Sequence, residues 1–178
     1  MEDSQQTVDS IMQKHSSSQH PLLDEWSLWA HLPHDTDWSL NSYKTIYNYT
    51  DLENTISVTE ALPGKLVKNC MLFVMRKGIT PLWEDPKNRS GGCFSYKVNN
   101  KIIDECWAKL TFSLLGESLS NNTKLQQHIN GITISPKKNF CIIKIWLKTC
   151  EYQDASQIND IIGIQPQGCL FKKHAPEY

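Results

Sequence analysis

Short apolar runs, each bounded by turn-forming residues, recur along most of the chain and dominate its pattern of hydrophobic and polar positions. Runs of this kind are typical of β-strands. The pattern predicts strands at about residues 26–31, 43–47, 70–75, 93–98, 130–134, 140–147 and 169–172. The fold is therefore built mainly around a β-sheet.

Three segments carry helical signals instead. Residues 50–62 begin with Thr50 and Glu53, which form a capping-box pattern, and they end at Pro63. A second helix, at 104–116, places several apolar side chains on one face, namely Trp107, Leu110, Leu114 and Leu115. A shorter helix is predicted at 154–161. Strands that pair as neighbours, with helices between them, favour the α+β class, in which helices cover one face of an antiparallel sheet.

The chain has 178 residues, 39% of them hydrophobic, which suits one compact domain because domains most often contain roughly 100 to 150 residues. Residues 1–19 are rich in Ser and Gln and have little apolar periodicity, so we predict a disordered tail followed by a domain at 20–178. The sequence has no apolar stretch near the ~18 residues that cross a bilayer and no signal-peptide pattern. We expect a monomeric, cytoplasmic protein without membrane association.

The formal net charge of -1 argues against a protein that coats long nucleic acids, since such proteins present a strongly basic surface. A short anionic ligand is compatible with this charge, because a local cluster such as Lys137–Lys138 is enough to hold it. The six cysteines lack the Cys-x-x-Cys pairs and neighbouring histidines of zinc sites. We therefore expect reduced thiols, no metal and no cofactor.

The most informative candidate site is Trp83–Glu84, which puts a flat indole beside a carboxylate. A 7-methylated guanine carries a delocalised positive charge and stacks on electron-rich rings by cation-π attraction, worth roughly 0.5 to 2 kcal/mol per face. Its N1–H and exocyclic amine form a donor pair that suits one carboxylate, and such charge-assisted bidentate bonds reject adenine. The alternative is an ordinary surface turn, because the residues that follow are rich in turn formers.

Beyond Trp83–Glu84, a series of tryptophans and short motifs runs from His20 almost to the C-terminus. The motifs are HPL at 20–22, WSLW at 26–29, Trp38, GITPLWED at 78–85, GG at 91–92, Trp107, LLGES at 114–118, IKIW at 143–146 and HA at 174–175. In these motifs the chain resembles the eukaryotic translation initiation factor 4E family, the mRNA cap-binding proteins. The resemblance implies a curved antiparallel sheet of about eight strands, backed by three helices on its convex face, with the cap slot on the concave face.

The resemblance also assigns the base site. Trp38, which follows a polar loop where an indole has little core to join, matches the family's first stacking tryptophan, and Trp83 matches the second. Glu84 matches the residue that binds the guanine edge. Trp146 resembles the residue that contacts the N7 methyl group, although core packing explains it nearly as well.

Three other tryptophans, Trp26, Trp29 and Trp107, are expected in the core, because a buried aromatic side chain removes about 150–250 Å² from water. Asp85 is expected to serve the turn before Pro86 rather than the ligand. A carboxylate pair can also indicate acid-base catalysis. No histidine, serine or cysteine pattern supplies a partner here, so we do not expect an enzyme.

The expected phosphate clamp departs from the family pattern. Counting back from Trp146 places Lys137 on a basic family position, whereas Asn139 and Ile142 stand at two further basic positions. Cys93 stands where a family arginine assists with the phosphates. Lys138 is an additional cation, so we expect Lys137 and Lys138 to hold the phosphates. The next candidates are Lys144, Lys148 and Lys172–Lys173.

The expected partner surface departs from the family as well. Family members bind a Tyr-x4-Leu-hydrophobic peptide of initiation factor 4G, or of inhibitory binding proteins, on the helical side. His20, Pro21 and Leu52 match that surface. Four positions differ: Ile56 replaces a tryptophan, Ala108 a leucine, Lys109 a glutamate, and Phe112 a further leucine. Loss of a central tryptophan can cost about 2 kcal/mol or more, because such residues are typical hot spots.

The sequence therefore predicts a non-enzymatic protein that binds the 7-methylguanosine cap of mRNA and promotes translation initiation. The alternative is a cap-sequestering regulator that does not recruit the usual scaffold, and the altered helical surface keeps it open. The expected partners are capped mRNA and, through that altered surface, a 4G-like scaffold or an inhibitory binding protein.

Overall fold

The computed structural model of the protein describes residues 20–174. The predicted tail at 1–19 lies outside the described residues, as do residues 175–178. All contacts and absences below refer to the described part of the chain.

A single antiparallel sheet organises the fold. Its strands, in chain order, are β1 (Pro21–His31), β2 (Tyr43–Asp51), β3 (Met71–Arg76), β4 (Gly92–Asn99), β5 (Ile129–Pro136), β6 (Phe140–Leu147) and β7 (Leu170–Lys173). Their spatial order is β2-β1-β3-β5-β6-β4-β7, and each neighbouring pair is antiparallel. Each strand overlaps one predicted apolar run, so the α+β prediction is confirmed. Within residues 20–174 the sheet has seven strands, close to the expected eight.

Four α-helices accompany the sheet: α1 (Leu52–Ala61), α2 (Gly64–Asn69), α3 (Ile103–Leu115) and α4 (Thr123–His128). The predicted capping box of α1 is wrong by one residue, because Thr50 still belongs to β2. Asp51 is the N-cap, and its carboxylate accepts a hydrogen bond from the Asn54 amide at 2.8 Å. Glu53 instead contacts His20, with 2.7 Å between Oε1 and Nδ1.

The helix predicted at 154–161 does not form. Only a 3-10 turn is present, Ala155–Gln157, which Asp154 caps by accepting the Ser156 amide at 2.9 Å. The chain then reverses through Gly163, whose φ of +82° is costly for any residue with a Cβ. The short helices α2 and α4 were not predicted.

The helices cover one face of the sheet, and the main hydrophobic core lies between the two layers. Alternation along β1 points Trp26, Leu28 and Ala30 into this core, where Trp107 of α3 joins them. We refer to the opposite side of the sheet as the open face. Trp29 was predicted in the core; it alternates onto the open face, where it is half-buried and packs against a separate apolar cluster instead of joining Trp26 and Trp107.

Candidate functional site

A second, smaller apolar cluster covers part of the open face. Its buried members are Tyr43, Phe73, Met75, Ile79 and Trp146, with Trp29, Met71 and Leu82 packed against them. Two loops border this cluster: the first loop, residues 32–42, joins β1 to β2, and the second loop, residues 77–91, joins β3 to β4. Each loop carries one of the tryptophans expected to stack on a base.

In the first loop, Trp38 is 57% exposed and lies flat against the ring of His31. The ring centroids are 4.2 Å apart and the interplanar angle is 3°. His31 is 2% exposed, and its Nε2–H donates to the Asp37 carbonyl at 2.8 Å. One face of the Trp38 indole is therefore covered by the protein, and the other face is available to a ligand. The sequence analysis assigned no role to His31.

Short-range hydrogen bonds fix the shape of the first loop. Asp35 accepts from the Asp37 amide at 3.0 Å, and Asp37 accepts from the Ser39 amide and hydroxyl, each at 2.8 Å. The bonds from Ser39 lower the pKa of the Asp37 carboxyl below its usual range. These polar turns place Trp38 over His31.

The second loop is built around Asp85, as predicted. Its carboxylate accepts from the Thr80 amide at 2.8 Å and hydroxyl at 2.7 Å, and from the Lys87 amide at 2.8 Å. Burial alone would raise the pKa of Asp85, but these hydrogen bonds lower it. The neighbouring Trp83 and Glu84 are both exposed, with Trp83 at 42%.

Asn88 ties this loop to the sheet. It is fully buried and donates to the carbonyls of Thr80 at 3.1 Å and Leu82 at 2.8 Å. Asn130 of β5 donates to the Asn88 side-chain oxygen at 3.0 Å, and His174 Nδ1–H donates to the Asn88 carbonyl at 2.8 Å. Neither Asn88 nor Asn130 was predicted from the sequence as a site residue. His174 lies in a motif that matches the family, but no role was predicted for it.

The charge of Glu84 acts on Tyr43, a buried residue of the open-face cluster. Burial raises the pKa of the Tyr43 hydroxyl, and the negative charge of Glu84 raises it further. Tyr43 in turn lies edge-on against His31, with ring centroids 5.0 Å apart. The Glu84 carboxylate has no hydrogen bond or ion pair with any residue of 20–174. A carboxylate without a hydrogen bond or ion pair in the described residues therefore acts electrostatically on Tyr43, the cluster residue that contacts His31.

Trp146 is 6% exposed and lies on the open face in the second cluster. Its ring is tilted by 52° against the His174 imidazole, at a centroid distance of 4.6 Å. Burial, aided by the charge of Lys144, lowers the pKa of His174, although its bond to Asn88 acts the other way. The position suits both interpretations of Trp146, since it packs in the cluster and also borders the second loop.

Lys137 and Lys138 are exposed at the tip of the β5–β6 hairpin, where the Lys137 amide donates to the Phe140 carbonyl at 2.8 Å. The register pairs His31 with Met71 and Leu72 with Ile134, so this tip and the first loop leave the sheet at the same end. β5 lies two strands from β1, which corresponds to about 10 Å. The second loop leaves β3 at the other end.

The expected partner surface contains an apolar groove of about 360 Å³ on the helical side. It is lined by Leu22, Leu52, Thr55, Ile56, Glu60, Phe112, Leu115 and Gly116. Three of the predicted partner residues, Leu52, Ile56 and Phe112, thus share one groove. Lys109 is not part of the lining and pairs with Glu105 of the same helix at 2.7 Å.

Nothing in residues 20–174 brings three metal-ligating side chains together, and no helix there is long and apolar enough to span a membrane. The six cysteines are free thiols in this structure.

Comparison with known proteins identifies the family. The family model described as eukaryotic initiation factor 4E matches residues 21–175. The chain is 31% identical over 159 residues to eukaryotic translation initiation factor 4E-2 of Schizosaccharomyces pombe, a match that covers 82% of this chain and 63% of that protein. It is also 31% identical to the factor 4E of Eremothecium gossypii, over 78% of this chain and 67% of that protein. The chain thus spans about two thirds of the length of these relatives.

Solved structures agree with this assignment. A schistosome eIF4E, crystallised with m7GpppA and 4E-BP, has a TM-score of 0.66 and 26% identity, covering 75% of this chain and 74% of that one. Ascaris suum eIF4E-3, solved with an m2,2,7G cap, has a TM-score of 0.66 at 21% identity, over 75% of this chain and 76% of that one, and shows the shared fold. Because the family model matches nearly all of the described residues, this chain belongs to the eukaryotic initiation factor 4E family.

Proposed function

We propose that this protein binds the 7-methylguanosine cap of mRNA, without catalysing a reaction, and promotes translation initiation in the cytoplasm. The observation that carries the proposal is the pair of exposed indoles, Trp38 and Trp83, on two loops beside one apolar cluster, with the Glu84 carboxylate free of protein partners. Exposed large aromatic side chains are costly to solvate, and a flat cationic base would cover both.

Trp38 offers the base one face only, because His31 covers the other at 4.2 Å. The base therefore lies between the free face of Trp38 and the ring of Trp83. Stacking of a cation on each ring contributes about 0.5 to 2 kcal/mol. The methyl group raises affinity because it makes the base cationic, so unmethylated guanine binds more weakly.

Glu84 supplies base selectivity. Its two carboxylate oxygens accept the N1–H and the exocyclic amine of guanine, and charge-assisted bonds of this type are about twice as strong as neutral ones. Trp146, beneath the second loop, contacts the N7 methyl group. Lys137 and Lys138 hold the outer phosphates from the hairpin tip.

The groove on the helical side binds the protein partner, a 4G-like scaffold or an inhibitory binding protein. Support comes from the solved relatives, since Caenorhabditis elegans eIF4E-3 was solved with the 4E-binding protein Mextli. Leu52, Ile56 and Phe112 line the groove. His20 and Pro21 directly precede Leu22 of the groove lining in sequence, and Lys109 lies on α3, the helix that carries Phe112.

A second candidate role is cap sequestration, in which the protein holds mRNA ends without recruiting the scaffold. Ile56 favours this role, because it is 40% exposed and offers a partner less area than the tryptophan expected there. Adding a Tyr-x4-Leu-hydrophobic scaffold peptide to the 7-methyl-GTP complex separates the two roles. Binding supports promotion of initiation, and no binding supports sequestration.

The cap-binding proposal is tested by titrating Trp38→Ala and Trp83→Ala with 7-methyl-GTP in a calorimeter. We expect each substitution to weaken binding about two- to thirtyfold, because each removes one stacking face. Leu23→Ala is the matched control, since it removes an 86% exposed apolar side chain near the start of β1, at the opposite end of that strand from the first loop. If the wild type does not distinguish 7-methyl-GTP from GTP, or if both tryptophan variants bind normally, the proposal fails.

A further inference from the structure

Two lysines flank Cys93 on the open face. Lys172 of β7 lies directly opposite Cys93, and Lys144 of β6 lies opposite Ser95, the next open-face residue of β4. Directly opposed residues in an antiparallel pair have Cβ atoms about 4.5–5.5 Å apart, and diagonal neighbours about 7–8 Å apart. Both lysine side chains can therefore reach the space above Cys93.

Both lysines act electrostatically on the thiol of Cys93. Burial raises the pKa of its thiol, while Lys144 and Lys172 each act to lower it. Neither ammonium group has an ion pair with another residue of 20–174. The sequences of β4, β5, β6 and β7 contain no Asp or Glu, so these strands hold no carboxylate to neutralise them.

Two buried polar atoms beside these lysines also lack partners. Thr133 lies opposite Lys144 and is 2% exposed, yet its hydroxyl has no hydrogen bond within the described residues. Trp146 lies opposite Cys93, and its indole N–H is likewise buried without a partner there. Leaving such groups unpaired costs about 1–3 kcal/mol each, and a water or ligand oxygen that reached them would remove this cost.

We propose that Lys144 and Lys172, with Thr133 and Trp146 beside them, form an anion site that binds the cap phosphate nearest the methylated base. The site deepens the proposed function and rests on it. Its place next to the base follows from Trp146, which is two residues from Lys144 on the same face and also borders the second loop.

The site is separate from the hairpin lysines. Lys144 lies four residues into β6 from its first residue, Phe140, a distance of about 14 Å along the strand, and Lys137 and Lys138 lie beyond that end. The first phosphate therefore contacts Lys144 and Lys172, while later phosphates extend toward the hairpin. The two lysines supply the positive charge that Cys93, in place of an arginine, does not.

The test compares 7-methylguanosine, which has no phosphate, with 7-methyl-GMP. Lys144→Met and Lys172→Met keep most of the side-chain length and remove the charge. We expect each to weaken 7-methyl-GMP binding about three- to tenfold, with 7-methylguanosine binding unchanged within about twofold. Lys65→Met on α2 is the matched control, because it removes an exposed charge from the helical side. Lys144→Arg should retain most of the phosphate contribution.

A double Lys144→Met, Lys172→Met variant that keeps the wild-type preference for 7-methyl-GMP over 7-methylguanosine overturns the anion site. So does a result in which Lys137→Ala, Lys138→Ala alone removes that preference. Failure of the cap-binding proposal looks different, because the wild type would then bind neither 7-methylguanosine nor its phosphates. Thermal unfolding of each variant verifies that the sheet is intact.

Discussion

The two loops that present the tryptophans are held in different ways. The first loop is fixed by contacts between close neighbours in sequence, such as Asp37 with Ser39 and His31 with Asp37. The second loop also has local bonds, around Asp85, but it is tied in addition to partners far along the chain, since Asn88 bonds with Asn130 and His174. Trp38 therefore depends on local turn geometry, whereas Trp83 depends on the assembled sheet.

This difference has consequences for stability and for adjustment on binding. Regions held by few, exposed and local bonds open at low free-energy cost, while regions tied to core strands open only near global unfolding. We infer that the second loop gives the site a rigid wall that carries Trp83 and Glu84. The first loop gives it a wall that adjusts to the base.

The largest expected effect comes from Asn88→Ala in the second loop. The substitution removes two donated hydrogen bonds and leaves the Thr80 and Leu82 carbonyls and an Asn130 donor without partners. We expect a loss of about 2 to 4 kcal/mol in the free energy of unfolding, measured by urea denaturation. Asn41→Ala, at an exposed position of the first loop, is the control and should change stability by less than about 0.5 kcal/mol. Equal stabilities of the two variants would contradict the proposed difference between the loops.

Glu84→Gln tests the chemistry of the same loop without disturbing its anchors. Glutamine keeps the shape but replaces one acceptor oxygen by a donor amine, so one guanine donor loses its partner. We expect the preference for 7-methyl-GTP over 7-methyl-ATP to fall by about 1 to 3 kcal/mol in competition titrations. Stability should be unchanged, because Glu84 has no hydrogen bond or ion pair within residues 20–174. A variant with the wild-type base preference would show that another group reads the base.

The stacked pair in the first loop predicts a smaller effect for His31. His31→Ala removes the ring that supports Trp38, and an aromatic pair contributes about 0.5–1.5 kcal/mol beyond its buried area. If this free energy is lost from binding, the affinity for 7-methyl-GTP should fall about two- to tenfold. His31→Phe keeps the stack and loses the bond to the Asp37 carbonyl, so it should recover most of the affinity. If alanine and phenylalanine behave alike, stacking does not position Trp38.

The features of this structure that could be predicted from the sequence are the local ones. Short apolar runs bounded by turn residues predicted all seven strands, and helical spacing identified α3 with its buried Trp107 and Leu110. Local turn chemistry predicted the role of Asp85. Such features depend on residues within a few positions of each other, which a single sequence displays directly.

What the sequence did not predict depends on packing between distant residues. Asn88 and His174 are 86 residues apart, and neither residue type indicates by itself that it anchors a loop. Trp29 was predicted in the core because it is apolar and lies in a strand. The sequence does not show that β1 contacts apolar clusters on both faces of the sheet, with Trp29 against the smaller one. Lys144 and Lys172 were named from the sequence as further phosphate candidates, but their place on either side of Cys93 in the proposed anion site needs the β4–β6 and β4–β7 registers. The capping box failed because β2 extends through Thr50.

The smallest expected effect concerns Lys137 and Lys138, which lie at the same end of the sheet as the first loop and, in the proposed complex, contact only the outer phosphates. Both side chains are exposed, and exposed ion pairs toward the lower end of their range contribute about 0.2–0.5 kcal/mol each. Lys137→Ala, Lys138→Ala should therefore weaken 7-methyl-GTP binding about two- to fivefold and leave 7-methyl-GMP binding nearly unchanged.

Salt dependence separates this contribution from stacking. The Debye length is about 8 Å at physiological ionic strength and about 3 Å at 1 M, so the hairpin contribution should disappear in 1 M salt, while discrimination between 7-methyl-GTP and GTP persists. The measurement is a titration of wild type and double variant with 7-methyl-GMP and 7-methyl-GTP at both ionic strengths. The affinities of wild type and double variant for 7-methyl-GTP should become equal at high salt. A difference in affinity that survives in 1 M salt would mean that the hairpin lysines make buried contacts with the ligand. The end of the sheet that carries the first loop would then close over the ligand.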